Sequence, residues 1–204
     1  MRLKRSLKVA LIALLVGSAQ YSISQVLPTA TATQSDLPFA VGAGGSSFDV
    51  DWGHGRMEGG TVWADWGFNR GPAFTHGFGL EAEARDISLG HSSTQPSNFR
   101  LDTVGGGVTY TWSKSHRFRP YGKYLISIGR IDWNNPDPLF RHETRTITAP
   151  GIGLEYRILN RVWARADYEY QYWPDIAGKG SKYVLNPQGF SFGIMYNFKN
   201  HKRF

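Results

Sequence analysis

Between Val162 and Tyr172 the chain alternates with a period of two. Val162, Ala164, Ala166, Tyr168, Tyr170 and Tyr172 fall on one face, and Arg165, Asp167, Glu169 and Gln171 on the other. Only an extended strand keeps residues i, i+2 and i+4 on one side, so an amphipathic helix is excluded here. The scheme returns in Phe78 to Arg85, where Phe78, Leu80, Ala82 and Ala84 oppose Gly79, Glu81, Glu83 and Arg85. It returns again in Ile152 to Ile158 and in Phe190 to Phe198. Weaker versions run from Phe39 to Ser46, Thr61 to Phe68, Thr103 to Trp112 and Tyr121 to Ile131. No segment sustains apolar residues at i, i+3, i+4 and i+7, so the fold class is all-β with eight strands.

The connections order these strands. About Phe48 to Gly59, Gly90 to Asn98, Trp133 to Glu143 and Trp173 to Gln188 read as long loops; Asn69 to Ala73, Ser113 to Arg119 and Leu159-Asn160 read as short turns. Alternation of long and short connections suits an antiparallel up-and-down transmembrane β-barrel, with long loops outside and short turns in the periplasm. A soluble lipocalin-like barrel is the rival, because alternation alone does not say which face is wet.

Three features favour the membrane. Arg2, Lys4, Arg5 and Lys8 precede the apolar run Val9 to Val16 and the small residues Gly17-Ser18-Ala19, the order of a secretory signal peptide spanning residues 1–19. Eight apolar residues are too few to span a bilayer as a helix, which takes about 20. Aromatic residues gather near strand ends, at Trp66, Phe68, Trp112, Trp133, Trp163, Tyr172 and Trp173, as interfacial girdles do. Glycines accompany the charges on the polar face, as a narrow lumen requires. Residues 20–35 read as a flexible tail, 36–198 as the barrel and 199–204 as a basic C-terminal tail.

Charge bears on partners only after it is located. The net +7 falls to +3 without the leader's four cations, and Lys199, Lys202 and Arg203 in the tail account for that remainder. The body is close to neutral, so no face is obliged to be strongly basic and nucleic acid is not an expected partner. The chain has no cysteine, which excludes a disulfide scaffold, a thiolate metal site and a thiol nucleophile.

The last strand carries Ser191-Phe192-Gly193-Ile194-Met195-Tyr196-Asn197-Phe198. It resembles the assembly signal of bacterial outer-membrane proteins, with Ser191, Gly193, Tyr196 and Phe198 in its key positions and Phe204 as the other candidate for its closing aromatic. The body resembles the small outer-membrane β-barrel domain family, OmpA/OmpX-like in architecture. The segments Phe118 to Lys123 and Ala166 to Pro174 are similar to those of its acidobacterial-type members. The resemblance implies residence in the outer membrane, contact with outer-membrane lipid and lipopolysaccharide, and insertion by the barrel assembly machinery. It implies no common chemistry.

Inside such a barrel Asp65, Glu81, Glu83, Arg85, Lys123, Glu155, Arg157, Arg165, Asp167 and Glu169 would face one another as a network of paired charges. The other reading of this face is a polar path for small solutes. His91-Ser92-Ser93 has the H-x-S spacing of a lipid A deacylase, but no acid is fixed beside it, so an ordinary polar loop is the better reading. Asp49-Val50-Asp51-Trp52-Gly53-His54 offers only two carboxylates, short of a calcium loop, and the six histidines show no zinc spacing. Gly105-Gly106-Gly107 precedes Val108 within a strand and no helix follows, so it is no phosphate cradle. Neither cofactor nor metal is indicated. The expected role is structural or surface-binding, without catalysis; Trp133 to Pro138 and Trp173 to Asp175 are loop segments that would suit a surface ligand, though an interfacial anchor that holds loop position is the better reading.

Overall fold

The computed structural model describes residues 39–51, 55–68, 77–89, 99–112, 117–132, 142–176 and 183–198. Strands β1 (Phe39–Asp49), β2 (Arg56–Gly67), β3 (Phe78–Leu89), β4 (Arg100–Thr111), β5 (Phe118–Asp132), β6 (His142–Arg157), β7 (Val162–Tyr170) and β10 (Gln188–Asn197) form the barrel wall. They close in the order β1-β10-β7-β6-β5-β4-β3-β2, every neighbouring pair antiparallel. Closure matters because an open edge would leave unpaired backbone amides, which lipid cannot satisfy. The seam pairs Ala40 with Asn197 at one end and Asp49 with Gln188 at the other.

Burial settles what the period-two pattern left open, namely which face points outward. Val62, Val104, Ile126, Ile128, Ile152, Phe192 and Ile194 all point outward and are more than half exposed. A continuous apolar belt of this kind would be untenable in water and suits a hydrocarbon surround. Rings close the belt at the end where β1 begins and β10 ends. Phe39 stacks on Phe198 at 5.5 Å, Phe78 meets Tyr110 at 4.9 Å, and Tyr110 meets Trp112 at 5.0 Å. Phe118 and Tyr156 lie 4.9 Å apart further round.

Several expectations need correction. The loop lengths do not alternate strictly. Ser47 to Asp49 and Arg56 to Gly60 are strand rather than loop, so the first outer connection shrinks to Val50–Gly55 while the next turn, Phe68–Gly77, is longer. Glycines hid these strand ends by diluting the alternation, yet backbone pairing runs through them: Gly45 faces Gly60, and Ser46 faces Gly59. Strand β6 likewise begins at His142, ten residues before the alternation becomes clear. The stretch read as the last long loop holds a second, two-stranded sheet of β8 (Trp173–Ile176) and β9 (Tyr183–Leu185).

Two tryptophans assigned to the girdle face inward. Trp163 and Trp173 are buried, whereas Trp66, Phe68, Trp112 and Tyr172 are exposed; Trp133 lies outside the described residues. Trp163 shares the inward parity of Arg165 and Asp167, so its neighbours in sequence contradicted the girdle reading. The division of glycine by face also holds only in part, since Gly45, Gly60 and Gly106 occupy outward positions between inward neighbours.

One inward glycine makes room for one of these rings. A methyl group built on Gly129 would lie 2.1 to 2.7 Å from the Trp173 ring. A Gly129→Ala variant is therefore expected to lose about 1–3 kcal/mol of stability through overpacking, seen as a lower denaturant midpoint in refolding titrations. A midpoint equal to that of the parent protein would show that the ring can shift without cost.

Candidate functional site

The inward face is stacked in three layers. At the loop end, Phe48, Met57, Ile87, Leu101, Ile131 and Ile147 come from six wall strands and pack with Trp173, Ile176 and Leu185 of the β8–β9 hairpin. These side chains form an apolar plug, with Val50 joining from the first outer connection. The hairpin is tied to the wall: Thr148 and Tyr172 exchange backbone hydrogen bonds, and the Arg145 Nε donates to the Asp175 carbonyl at 3.0 Å. Arg145 also pairs with Glu143. Asp175 adopts φ of 53°, an unusual conformation for a residue with a side chain, which follows Pro174 at the tip of β8.

Below the plug lies the charge layer. Arg85 donates to Glu169 at 2.6 and 3.2 Å and to Glu83 at 2.5 Å. Lys123 Nζ sits 2.7 Å from Glu169, 2.8 Å from Glu83, 3.2 Å from Asp167 and 3.6 Å from Glu81. Arg165 grips both oxygens of Glu81 at 2.8 and 2.9 Å and reaches Asp65 at 3.1 Å and Asp167 at 3.2 Å. Tyr121 donates its hydroxyl to Asp167 at 3.0 Å. The three cationic side chains are at most 1% exposed. Burial on this scale is tolerated only because each charge meets several partners, since an unpaired ion here would cost several kcal/mol.

The layers are joined. The Arg85 guanidinium lies 4.3 Å from the centre of the Phe48 ring, and a relay runs from Trp173 Nε1 to Gln171 (2.9 Å) and from Gln171 to Glu169 (2.8 Å). Beneath the charges, Ala40, Trp63, Trp163 and Met195 form a second apolar cluster. Arg165 lies 4.9 Å from the Trp63 ring centre and 4.6 Å from that of Tyr121, so one cation spans the boundary between the layers.

Of the ten expected lumen charges, Asp65, Glu81, Glu83, Arg85, Lys123, Arg165, Asp167 and Glu169 converge in this network. Glu155 is buried on the same face, opposite Arg119 and Arg165 in register. Arg157 stands apart at the end with the short turns, 5.9 Å from the Trp163 ring centre, and Arg119 lies over the same ring at 4.0 Å. The sequence places Gln171 on the polar face but not in the charge network, and gives no sign of the role of Tyr121 or of the apolar plug. Gln171 had a signal, since it continues the inward parity of Arg165, Asp167 and Glu169.

On the last strand Ser191 and Gly193 face inward, Ser191 meeting Ser46 at 2.8 Å, while Tyr196 and Phe198 face outward and pack 5.1 Å apart. Phe204 lies outside the described residues, as do residues 1–38, the 199–204 tail, His91-Ser92-Ser93 and Trp133 to Pro138. Asp49 and Asp51 are described, and among the described residues no cluster of His, Asp and Glu could hold a metal ion.

Against known proteins, a family model described as outer membrane protein beta-barrel domain matches residues 9–198. No curated protein matches the chain. Among solved structures, Neisserial surface protein A is similar with a TM-score of 0.61 at 16% identity, covering 78% of this chain and 97% of that one. Ail, the attachment invasion locus protein of Yersinia pestis, gives 0.55 at 17% identity over 80% and 99%. The outer membrane protein OprG from Pseudomonas aeruginosa gives 0.54 at 11% identity over 79% and 96%. At these identities the likeness is one of fold.

Proposed function

The chain belongs to the outer membrane protein β-barrel domain family and resides in the bacterial outer membrane, and from that premise we propose that it acts without catalysis, as a closed barrel with a structural or surface-binding role. The observation that carries this reading is the burial of the lumen lining. A water-filled pore leaves its lining side chains wet, whereas Arg85, Lys123 and Glu81 have side chains 0% exposed, beneath an apolar plug that includes the hairpin. Interaction with the exterior then falls to the outer connections, which rise from a rigid wall as binding loops generally do. The short turns, the start of β1 and the end of β10 face the periplasm in this orientation.

The last strand supplies the assembly signal in this proposal. Ser191, Gly193, Tyr196 and Phe198 lie on the strand that pairs with β1 to close the barrel, so recognition of that strand and closure involve the same backbone.

Planar-bilayer recording is the test. The refolded protein should give no steady conductance in 1 M KCl. Step currents of reproducible size would replace this reading with that of a narrow pore, and release of an acyl chain from lipopolysaccharide would overturn its non-catalytic part.

A further inference from the structure

The near-neutral body conceals an axial division of charge. In sequence the three periplasmic connections and the C-terminal tail contain Arg70, Lys114, Arg117, Arg161, Lys199, Lys202 and Arg203, and neither Asp nor Glu. The outer connections and adjoining strand ends mix both signs, with Asp49, Glu58, Asp86, Asp102, Asp132 and Glu143 among Arg56, Arg100, Arg130 and Arg145. They include tight pairs: Arg100 reaches Asp86 at 2.6 Å and Asp102 at 3.0 Å.

The fold gathers part of the basic end into one sector. Arg117 precedes β5 and Arg119 lies at its start, Arg157 ends β6 and Arg161 precedes β7, all at neighbouring strands. The Arg157 amide bonds the Arg117 carbonyl at 3.0 Å, which fixes those two backbones side by side. Arg161 donates to the Tyr196 hydroxyl at 3.1 Å, and Tyr196 belongs to the ring of aromatics that closes the apolar belt. The described residues of these turns include no carboxylate; Glu155, the acid nearest them in sequence, faces inward and is buried. Arg119 and Arg157 face inward over Trp163, whereas the exposed Arg117 and Arg161 stand at the level where the hydrocarbon ends and headgroups begin.

We propose that this periplasmic sector, centred on Arg117 and Arg161, is a docking surface for the headgroups of anionic phospholipid in the inner leaflet. Charge complementarity selects the occupant. Guanidinium groups bind phosphate oxygens through paired N–H donors, and they are placed here at headgroup depth. A polyanion of the periplasm would meet the same charges only from below, without engaging the Tyr196 girdle. The inference concerns the rim and stands whether or not the lumen conducts.

The experiment reconstitutes the full chain in vesicles of equal parts phosphatidylglycerol and phosphatidylcholine, and counts by native mass spectrometry the lipids retained on release. Phosphatidylglycerol should be retained preferentially at low ionic strength, with the preference falling roughly fivefold for each arginine removed and shrinking as salt is raised. Arg117→Gln with Arg161→Gln should bring the ratio close to one, while Arg56→Gln with Arg130→Gln at the opposite end should leave it unchanged. Heat-modifiable migration in gels, retained by both double variants, shows that each is folded. Equal retention of the two lipids by the parent protein would overturn the proposal. So would a preference lost only with the outer-end variant, or binding to isolated peptidoglycan that depends on Arg117 and Arg161 without any lipid preference.

Discussion

An Arg165→Leu variant is expected to lose about 3–5 kcal/mol of stability, because removing one member of a buried ion network strands the others. Arg165 alone joins Asp65, Glu81 and Asp167, and its side chain is 1% exposed. Leucine fills much of the space but offers no donor, so three carboxylates face a low-dielectric interior with Lys123 as their remaining close cation. Distance by itself would not predict this loss. Arg100 approaches Asp86 at 2.6 Å, closer than any contact of Arg165, yet those side chains are 45% and 59% exposed. Water already solvates that outer pair, so Arg100→Leu should cost about 0–1 kcal/mol. Guanidinium titrations of both variants in the same vesicles give the comparison, and equal small losses would show that the lumen is wetter than the burial of its side chains implies. A second arm separates charge stranding from lost packing. Adding Glu81→Leu to Arg165→Leu removes the most fully engaged of the stranded acids and should recover part of the loss, a non-additivity typical of contacting residues.

What the sequence disclosed and what it hid follow from one physical distinction. Alternation reports which side of the wall a residue faces, so the inward set from Glu81 to Glu169 and the outward set from Val162 to Tyr172 could be read directly. It does not report height along the barrel. Trp163 and Trp173 were placed at the interface by their proximity to strand ends, but the lumen also has ends, and a ring there packs inward as readily as a girdle ring packs outward. Gly129 and Trp173 are 44 positions apart, and only the three-dimensional path of the loop after β7 brings them together. Summed charge likewise says nothing of position: a near-neutral body obliges no face to be basic, yet the antiparallel course sends Arg117, Arg157 and Arg161 to one rim and most acids to the lumen or the opposite rim. The Ser47–Asp49 and Arg56–Gly60 strand ends escaped detection because glycine weakens a pattern built from side chains while leaving the backbone ladder intact.

Trp173→Ala should produce the other large effect, a loss of about 3–5 kcal/mol, as large-to-small changes of fully buried aromatics do when the site cannot collapse. The indole is fully buried, and collapse is resisted on the side of Gly129, which has no side chain to advance into the space. The substitution also ends the donation to Gln171 Oε1, at the head of the relay that reaches Glu169 and Arg85. A purely packing role predicts that Trp173→Phe recovers most of the loss, since it restores the ring but not the N–H. A role through the relay predicts that Phe recovers little and that Gln171→Leu in the parent protein is costly as well. Hydrogen exchange adds a local measure. Trp173 pairs with Leu185 in the small sheet, so the amides of Tyr183 to Leu185 should lose protection in Trp173→Ala before those of the barrel wall do. Retained protection there, together with an unchanged denaturant midpoint, would show that Ile176 and Leu185 anchor the hairpin without the tryptophan.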